Sequence, residues 1–307
     1  MNSKQLFHFH TITEYHRAAG LPKPTHPLIS LVHMEDLSKP MAEDAFSMIY
    51  DFYSIAMKRV TNTKFKYGQQ VQDFDEGVLF FMSPGQVFGV EIEKGNGSHK
   101  REGWMILIHP DFLWNTPLAK TIKQYEFFNY SVYEALFLSD KEETMLNTIA
   151  QSIEQEYQGN IDRFSQSVII AQLELLLTYS ERFYQRQFIT RKVTSHEILS
   201  KLEDLLTHYF TSGALVEKGL PSVTYIAENL NISPGYLSSL LKSLTGQNTQ
   251  QHLHNKLIEL AKQKLSTTNL SVSEIAYELG FEHLQSFSKL FKTKTNFSPM
   301  EFRQSFN

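Results

Sequence analysis

The 307-residue chain contains no cysteine. That excludes disulfides, zinc–thiolate centres, iron–sulfur clusters and a cysteine nucleophile. Charge excess is also missing: the net charge is −4, with 20% charged and 41% hydrophobic residues. The chain is too apolar and too evenly charged to be disordered, and long enough for two domains. Long apolar runs are absent as well. The most apolar stretch, 168–177, is broken by Gln172 and Glu174, so no membrane span is expected. The start, MNSKQLFHFHTITEYH, lacks the basic and apolar regions of a signal peptide. Together these features predict a cytoplasmic protein with no membrane partner.

Enzyme signatures are equally scarce. There is no Gly-x-Ser-x-Gly, phosphate loop or dinucleotide fingerprint, and Ser83-Pro84-Gly85 reads as a turn. His8-Phe9-His10 puts two imidazoles on one side of a strand, but no third ligand lies nearby in sequence. His33-Met34-Glu35 is similarly thin, and His99 and His109 are too far apart for a metal set. The expectation is no catalytic residue, no metal and no cofactor.

Residues 1 to about 110 read as strand-rich. Leu28–His33, Met48–Val60, Val78–Met82, Val87–Ile92 and Trp104–His109 are aromatic and β-branched, broken by turn signals. Met48–Val60 alternates poorly and also allows a helix. The aromatics Phe52, Tyr53, Phe80, Phe81, Phe88, Trp104, Phe112 and Trp114 suit either a core or the lining of an effector pocket, whose residues the pattern does not assign.

From Asp111 the periodicity becomes helical. Ser139-Asp-Lys-Glu142 is a capping-box start, and Leu146, Ile149, Ile153 and Tyr157 follow at helical spacing. Gly159-Asn160 is expected to end this helix in the left-handed region. A second helix, about 162–187, carries Phe164, Val168, Ala171, Leu175 and Phe183 on one face, with further apolar residues around it. So wide an apolar surface fits either full burial or contact with a partner chain. Arg191–Ser195 is short and polar, and reads as a linker.

The last quarter contains a repeat. Ile226, Ala227 and Leu230 recur as Ile275, Ala276 and Leu279, an offset of 49. After a turn with one extra residue, Leu237, Leu240, Leu241 and Lys242 recur as Phe287, Leu290, Phe291 and Lys292. Each copy has the logic of a helix-turn-helix. A short helix with a small alanine leads to a turn at Asn231 or Gly280, both tolerant of positive φ, then to a plug, Ile232 or Phe281. In the first copy Ser233-Pro234 then caps a second helix. The faces left outward are Gly235, Tyr236, Ser238, Ser239 and Lys242, and His283, Gln285, Ser286, Ser288, Lys289 and Lys292. They carry donors and acceptors but no carboxylate, as entry into a DNA major groove requires. One helix, about Thr249 to Ser266, joins the copies and spans roughly 27 Å. Residues 234–307 hold 8 basic against 5 acidic side chains, the local positive excess of the chain.

The segment from about Ser222 to Phe306 resembles the AraC/XylS-type bacterial transcription regulators. The resemblance is densest in Ser273-Glu-Ile-Ala-Tyr-Glu-Leu-Gly-Phe281, Ser286-Phe-Ser-Lys-Leu-Phe-Lys292 and Ser298-Pro-Met-Glu-Phe-Arg303. It implies an α+β two-domain chain. Residues 1–190 would be a cupin-like β-barrel sensor with a helical pair, and residues 196–307 an all-α DNA-binding domain. It also implies a homodimer through the helices within 139–187, double-stranded promoter DNA as partner, a small-molecule effector, and RNA polymerase if the output is activation. Carried over by alignment, the base-reading positions fall on Gly235, Ser238 and Ser239 in the first unit, and on Leu284, Gln285, Ser288 and Lys289 in the second. The phosphate-contacting positions fall on Lys242 and Lys292, and Lys294 is added here from its proximity. Two positions depart from the family: Asn296 replaces a glycine and Leu257 an arginine. The short side chains of the first unit predict that it reads bases less sharply than the second, or contributes through backbone and phosphate contacts. The alternative of a different class is a cupin-type enzyme carrying a helical interaction module.

Overall fold

The computed structural model describes residues 5–37, 46–59, 64–67, 70–73, 77–90, 102–130, 134–159, 162–190 and 192–304. His99 lies outside the described residues. The chain forms two compact units, Met1–Gln187 and Phe188–Asn307.

The N-terminal unit begins with β1 (Gln5–Phe9), α1 (Ile12–Ala18), β2 (Ile29–His33), β3 (Phe46–Tyr50) and β4 (Tyr53–Arg59). Next come β5 (Lys64–Tyr67), β6 (Gln70–Asp73), β7 (Gly77–Met82), β8 (Val87–Val90) and β9 (Glu102–Ile108). Then follow α2 (Leu118–Thr121), β10 (Leu136–Leu138), α3 (Asp140–Gln158) and α4 (Ser165–Thr190). Met48–Val60 is thus neither one strand nor a helix. It turns at Asp51-Phe52, and its halves join different sheets.

One sheet is five-stranded and antiparallel, ordered β10-β7-β4-β9-β2. A three-stranded sheet is ordered β1-β3-β8, with β1 parallel to β3, and β5 and β6 form a hairpin. The two larger sheets share a core. Phe46, Met48 and Tyr50 come from one sheet, and Val32, Ala56, Met82, Met105 and Leu107 from the other. Tyr53–Met57 and Trp104–Ile108 are continuously buried, so the central strands of the five-stranded sheet are covered on both faces. That explains the poor alternation in their sequence. Gly103 sits at φ +131°, and a Cβ there would meet the Met57 carbonyl oxygen at 2.1 Å, so β9 passes β4 only with glycine.

Helix α3 holds the sheet through polar anchors as well as Leu146, Ile149 and Ile153, all buried. Tyr157 Oη accepts from the Leu31 N–H at 3.2 Å and donates to the Leu31 carbonyl at 3.3 Å. Trp104 Nε1 donates to Asn147 Oδ1 at 2.7 Å. Helix α4 fastens to β10: Gln187 pairs with the Phe137 N–H and the Ala135 carbonyl, and Arg186 bonds the Phe137 carbonyl and Glu142. The Glu142 carboxylate also accepts from the Ser139 N–H at 2.9 Å, completing the expected capping box.

Several expectations need correction. Of Gly159-Asn160, Gly159 ends α3 in extended backbone at φ −76°, not left-handed, and Asn160 lies outside the described residues. Of the α4 face that carries Phe164, Val168, Ala171, Leu175 and Phe183, Phe183 is buried, whereas Phe164 is 56% and Leu175 46% exposed, so the helix is not buried all round. Ile169, Ile170, Leu173, Leu176 and Leu177 take the buried side instead. Trp114 is 72% exposed, while Phe52, Tyr53, Phe81, Trp104 and Phe112 are core. Of Arg191–Ser195, read as linker, Arg191 lies outside the described residues and the rest is helical: α5 spans Lys192–Thr211.

The C-terminal unit continues with α6 (Ala214–Lys218), α7 (Val223–Asn229), α8 (Pro234–Thr245) and α9 (Thr249–Thr267). It ends with α10 (Val272–Glu278), α11 (Leu284–Thr295) and α12 (Pro299–Gln304). Helix α9 serves two cores. Leu253 packs with Leu202, Leu206, Ile226, Leu237 and Leu241. Leu257, Ile258, Ala261 and Leu265 pack with Ile275, Leu279, Phe287 and Phe291. Leu257 is fully buried, so the absence of the family's arginine is compensated by apolar packing.

Candidate nucleic-acid interface

Two helical hairpins, α7–α8 and α10–α11, are built from matching local signals. Helix α7 starts at Ser222, whose hydroxyl accepts from the Tyr225 N–H at 3.1 Å. Helix α10 starts at Ser271, which accepts from the Glu274 N–H while Glu274 accepts back from Ser271. These bonds hold the Glu274 carboxyl below its ordinary value. The turns are left-handed at Asn231 (φ 56°) and Gly280 (φ 79°). Each is closed by the plug residue: Ile232 N–H to the Ala227 carbonyl and Phe281 N–H to the Ala276 carbonyl, both 3.0 Å. Ala227 and Ala276 are buried at the crossings.

Helices α8 and α11 are each 12 residues long and start 50 residues apart. Ser233 caps α8 by accepting from the Tyr236 N–H at 3.2 Å. His283 occupies the same place before α11, so the extra turn residue is Glu282. Both helices end left-handed, at Gly246 (φ 74°) and Asn296 (φ 64°). The family's glycine position therefore holds an asparagine in a conformation asparagine tolerates. Beyond them, Asn248 with Gln251 and Ser298 with Glu301 form matching capping pairs. The repeat thus extends past the two hairpins into α9 and α12.

The outward faces differ. On α11, Gln285, Lys289, Lys292 and Lys294 are exposed, Leu284 is 42% exposed, and Ser288 is half-buried. On α8 only Lys242 of the anticipated positions is exposed, and Gly235, Ser238 and Ser239 are half-buried. Ser238 Oγ lies 3.1 Å from Thr249 Oγ1, tying α8 to the start of α9. The equivalent of Thr249 is Pro299, which has no hydroxyl. Tyr236, read from the sequence as outward, is 4% exposed and meets the Phe188 ring edge-on at 5.1 Å. Neither α8 nor α11 contains an acidic residue. The Lys294 ammonium adds to the electropositive side of α11: together with burial it lowers the His254 pKa, burial being the larger cause.

Residues 226–305 match a family described as a helix-turn-helix domain. This is a helix-turn-helix domain of the AraC type. The chain is 23% identical over 261 residues to the uncharacterized HTH-type transcriptional regulator YfiF of Bacillus subtilis, covering 83% of this chain and 77% of that protein. It is 32% identical over 124 residues to the raffinose operon transcriptional regulatory protein RafR of Pediococcus pentosaceus, covering 40% of this chain and 42% of that one. Among solved structures, it is similar to the C-terminal domain of the response regulator yesN from Fusobacterium nucleatum. That likeness has 30% identity and a TM-score of 0.27, covering 33% of this chain and 96% of that one. The chain therefore spans most of one curated relative and less than half of the other.

In this AraC-type domain α8 and α11 hold the positions at which the sequence predicts base reading. The structure brings Leu284, Gln285, Ser288, Lys289 and Lys292 onto one helix of the second unit. It withdraws Tyr236 from the outward face of α8. Sequence reasoning missed the Ser238–Thr249 contact, because Thr249 begins the next helix rather than facing α8 within it.

Proposed function

We propose that the protein is a sequence-specific DNA-binding transcription regulator, with the C-terminal unit as its reader and the N-terminal unit as sensor. One observation carries this reading. Two carboxylate-free helices of equal length stand on the same repeated frame, and one presents exposed Gln285, Lys289 and Lys292. A carboxamide pairs bidentately with adenine N6 and N7, and lysines serve guanine or phosphate. Helix α9, with 19 residues, is about 28 Å long, close to the roughly 34 Å of one DNA turn. Two readers on such a strut fit successive major grooves of one promoter site.

In this reading Lys242, Lys292 and Lys294 bind phosphate, while Leu284, Gln285, Ser288 and Lys289 read bases. Gly235, Ser238 and Ser239 contribute mainly close approach. The facing sheets of the N-terminal unit are the described part of a cupin-like barrel that takes a small-molecule effector. The exposed Phe164, Val168 and Leu175 on α4 supply a homodimer contact. Effector binding then shifts the population of DNA-competent states, and an activating output adds a contact to RNA polymerase. The reading makes the chain a non-enzymatic, cytoplasmic protein.

The test is selection of bound fragments from genomic DNA by the full chain, followed by titration at several salt concentrations. The expected result is an enriched motif and an affinity that falls linearly with log salt. Recovery of fragments indistinguishable from the input pool at low salt would end this reading.

A further inference from the structure

The sequence offered His8 and His10 as a pair without a partner. The fold supplies one. Parallel pairing sets β1 beside β3, with Phe9 opposite Tyr50, and Asp51 follows directly at the end of β3. His8 and His10 are two residues apart on β1 and its end, so their side chains leave the same side of the strand. Their rings lie 4.2 Å apart between centroids. His8 Nε2 is 2.7 Å from Asp51 Oδ1, and His10 Nδ1 is 2.6 Å from Asp51 Oδ2. One ligand atom from each of the three residues lies within 4.8 Å of the others.

We propose that His8, His10 and Asp51 form a binding site for one divalent transition-metal ion of the zinc class. Two imidazole nitrogens and one carboxylate oxygen are a donor set that suits zinc and its neighbours, and disfavours calcium and magnesium, which prefer all-oxygen shells. The geometry needs only a small adjustment. With metal–ligand bonds of about 2.0–2.2 Å, tetrahedral donors stand about 3.3 Å apart. The two nitrogens now meet different oxygens of Asp51, so the carboxylate must turn to present one of them to the ion while these contacts open by roughly half an ångström. All three side chains are 40% or more exposed, so rotation about their outer bonds is free to do this.

The backbone is already fixed for the purpose. The Asp51 N–H donates to the Phe9 carbonyl at 3.0 Å, joining the two ligand-bearing segments. The His10 N–H donates to Glu14 Oε2 at 2.8 Å, within the capping box that opens α1 at Thr11. Glu14 adds negative potential beside the site while its carboxylate stays engaged with main-chain donors. The rest of the coordination sphere is open to water. The ion would take the place of the imidazole–carboxylate hydrogen bonds and clamp β1 to the end of β3.

The experiment uses the full chain, stripped with chelator and titrated calorimetrically with Zn²⁺ in buffers of different protonation enthalpy. Cobalt absorption gives a parallel reading. The expected result is one equivalent bound. His8→Gln, His10→Gln and Asp51→Asn should each weaken binding at least about tenfold. His196→Gln should leave it unchanged. X-ray absorption of the wild-type zinc complex should show scattering from two imidazoles, a readout that needs no variant to fold. No stoichiometric binding, affinity kept within about twofold in all three variants, or an imidazole count other than two would each overturn the site.

Discussion

The two halves of the C-terminal unit share a frame and differ in surface. Both turn through a left-handed residue, both close the turn with a plug-residue N–H, and both end the second helix left-handed. Yet α11 faces outward with Gln285 and three exposed lysines, whereas α8 offers half-buried serines and Lys242. A repeat of this kind lets the scaffold stay constant while each copy's exposed face is set separately. The frame and the face are therefore separable by mutation.

The largest effect should come from the frame of the second unit. Gly280 sits at φ +79°, and a Cβ there would meet the Leu215 carbonyl oxygen at 2.6 Å. Gly280→Val imposes both a disfavoured backbone and a clash with main chain, a loss of about 3 kcal/mol. The same position in the first unit already tolerates a side chain, Asn231. Asn231→Ala should cost about 1 kcal/mol or less. Denaturant melts of both variants check the pair, and similar losses would mean that the turns are not differentiated as described.

The next effect lies on the faces. Gln285→Ala should lose about 1–3 kcal/mol of discrimination at one base pair. Ser239→Ala should change base preference by less than about 0.5 kcal/mol. Base-by-base substitution of a selected site measures both, and sharper penalties beneath α8 would reverse the assignment. Lysines at phosphates behave differently from base readers. Lys292→Gln should weaken binding evenly across sequences and reduce the slope of log affinity against log salt by about 1. A slope equal to wild type would remove Lys292 from the interface.

Much of this frame was legible because its signals are local. Ser233 as a cap, Asn231 and Gly280 as turns, and Ala227 and Ala276 at crossings all act within a few residues of themselves. The errors came where a partner lies far along the chain. Tyr236 was placed outward because its neighbours Leu237, Leu240 and Leu241 already filled a helical face. The ring that covers it, Phe188, precedes it by nearly fifty residues. The sequence left α4 open between full burial and a partner contact, because two apolar stripes on one helix look alike without the sheet that selects between them. His8 and His10 lacked a third ligand on paper because Asp51 is reached only through the parallel pairing of β1 with β3.

The smallest expected effect separates the halves by their electrostatics. In the first, Glu203 on α5 pairs with His252 at 2.9 Å and with Lys256, both on α9. Burial pushes the Glu203 carboxyl up, but the hydrogen bonds and charges of Lys256 and His252 outweigh it and hold the pKa below 4.5. A carboxyl with a depressed folded-state pKa stabilises fully above its unfolded value and loses that contribution as pH falls through the folded one. Glu203→Gln should therefore destabilise at pH 7, and the difference from wild type should shrink as the pH is lowered below 4.5. The cluster is about a third exposed, so screening keeps the effect under about 1 kcal/mol. The second half instead joins α9 to α10 through Lys264 and Glu278 at 2.7 Å. Denaturant midpoints for wild type and Glu203→Gln, followed from neutral to acid pH, give the answer. A gap that stays constant with pH would show that Glu203 holds α5 to α9 by shape rather than by charge.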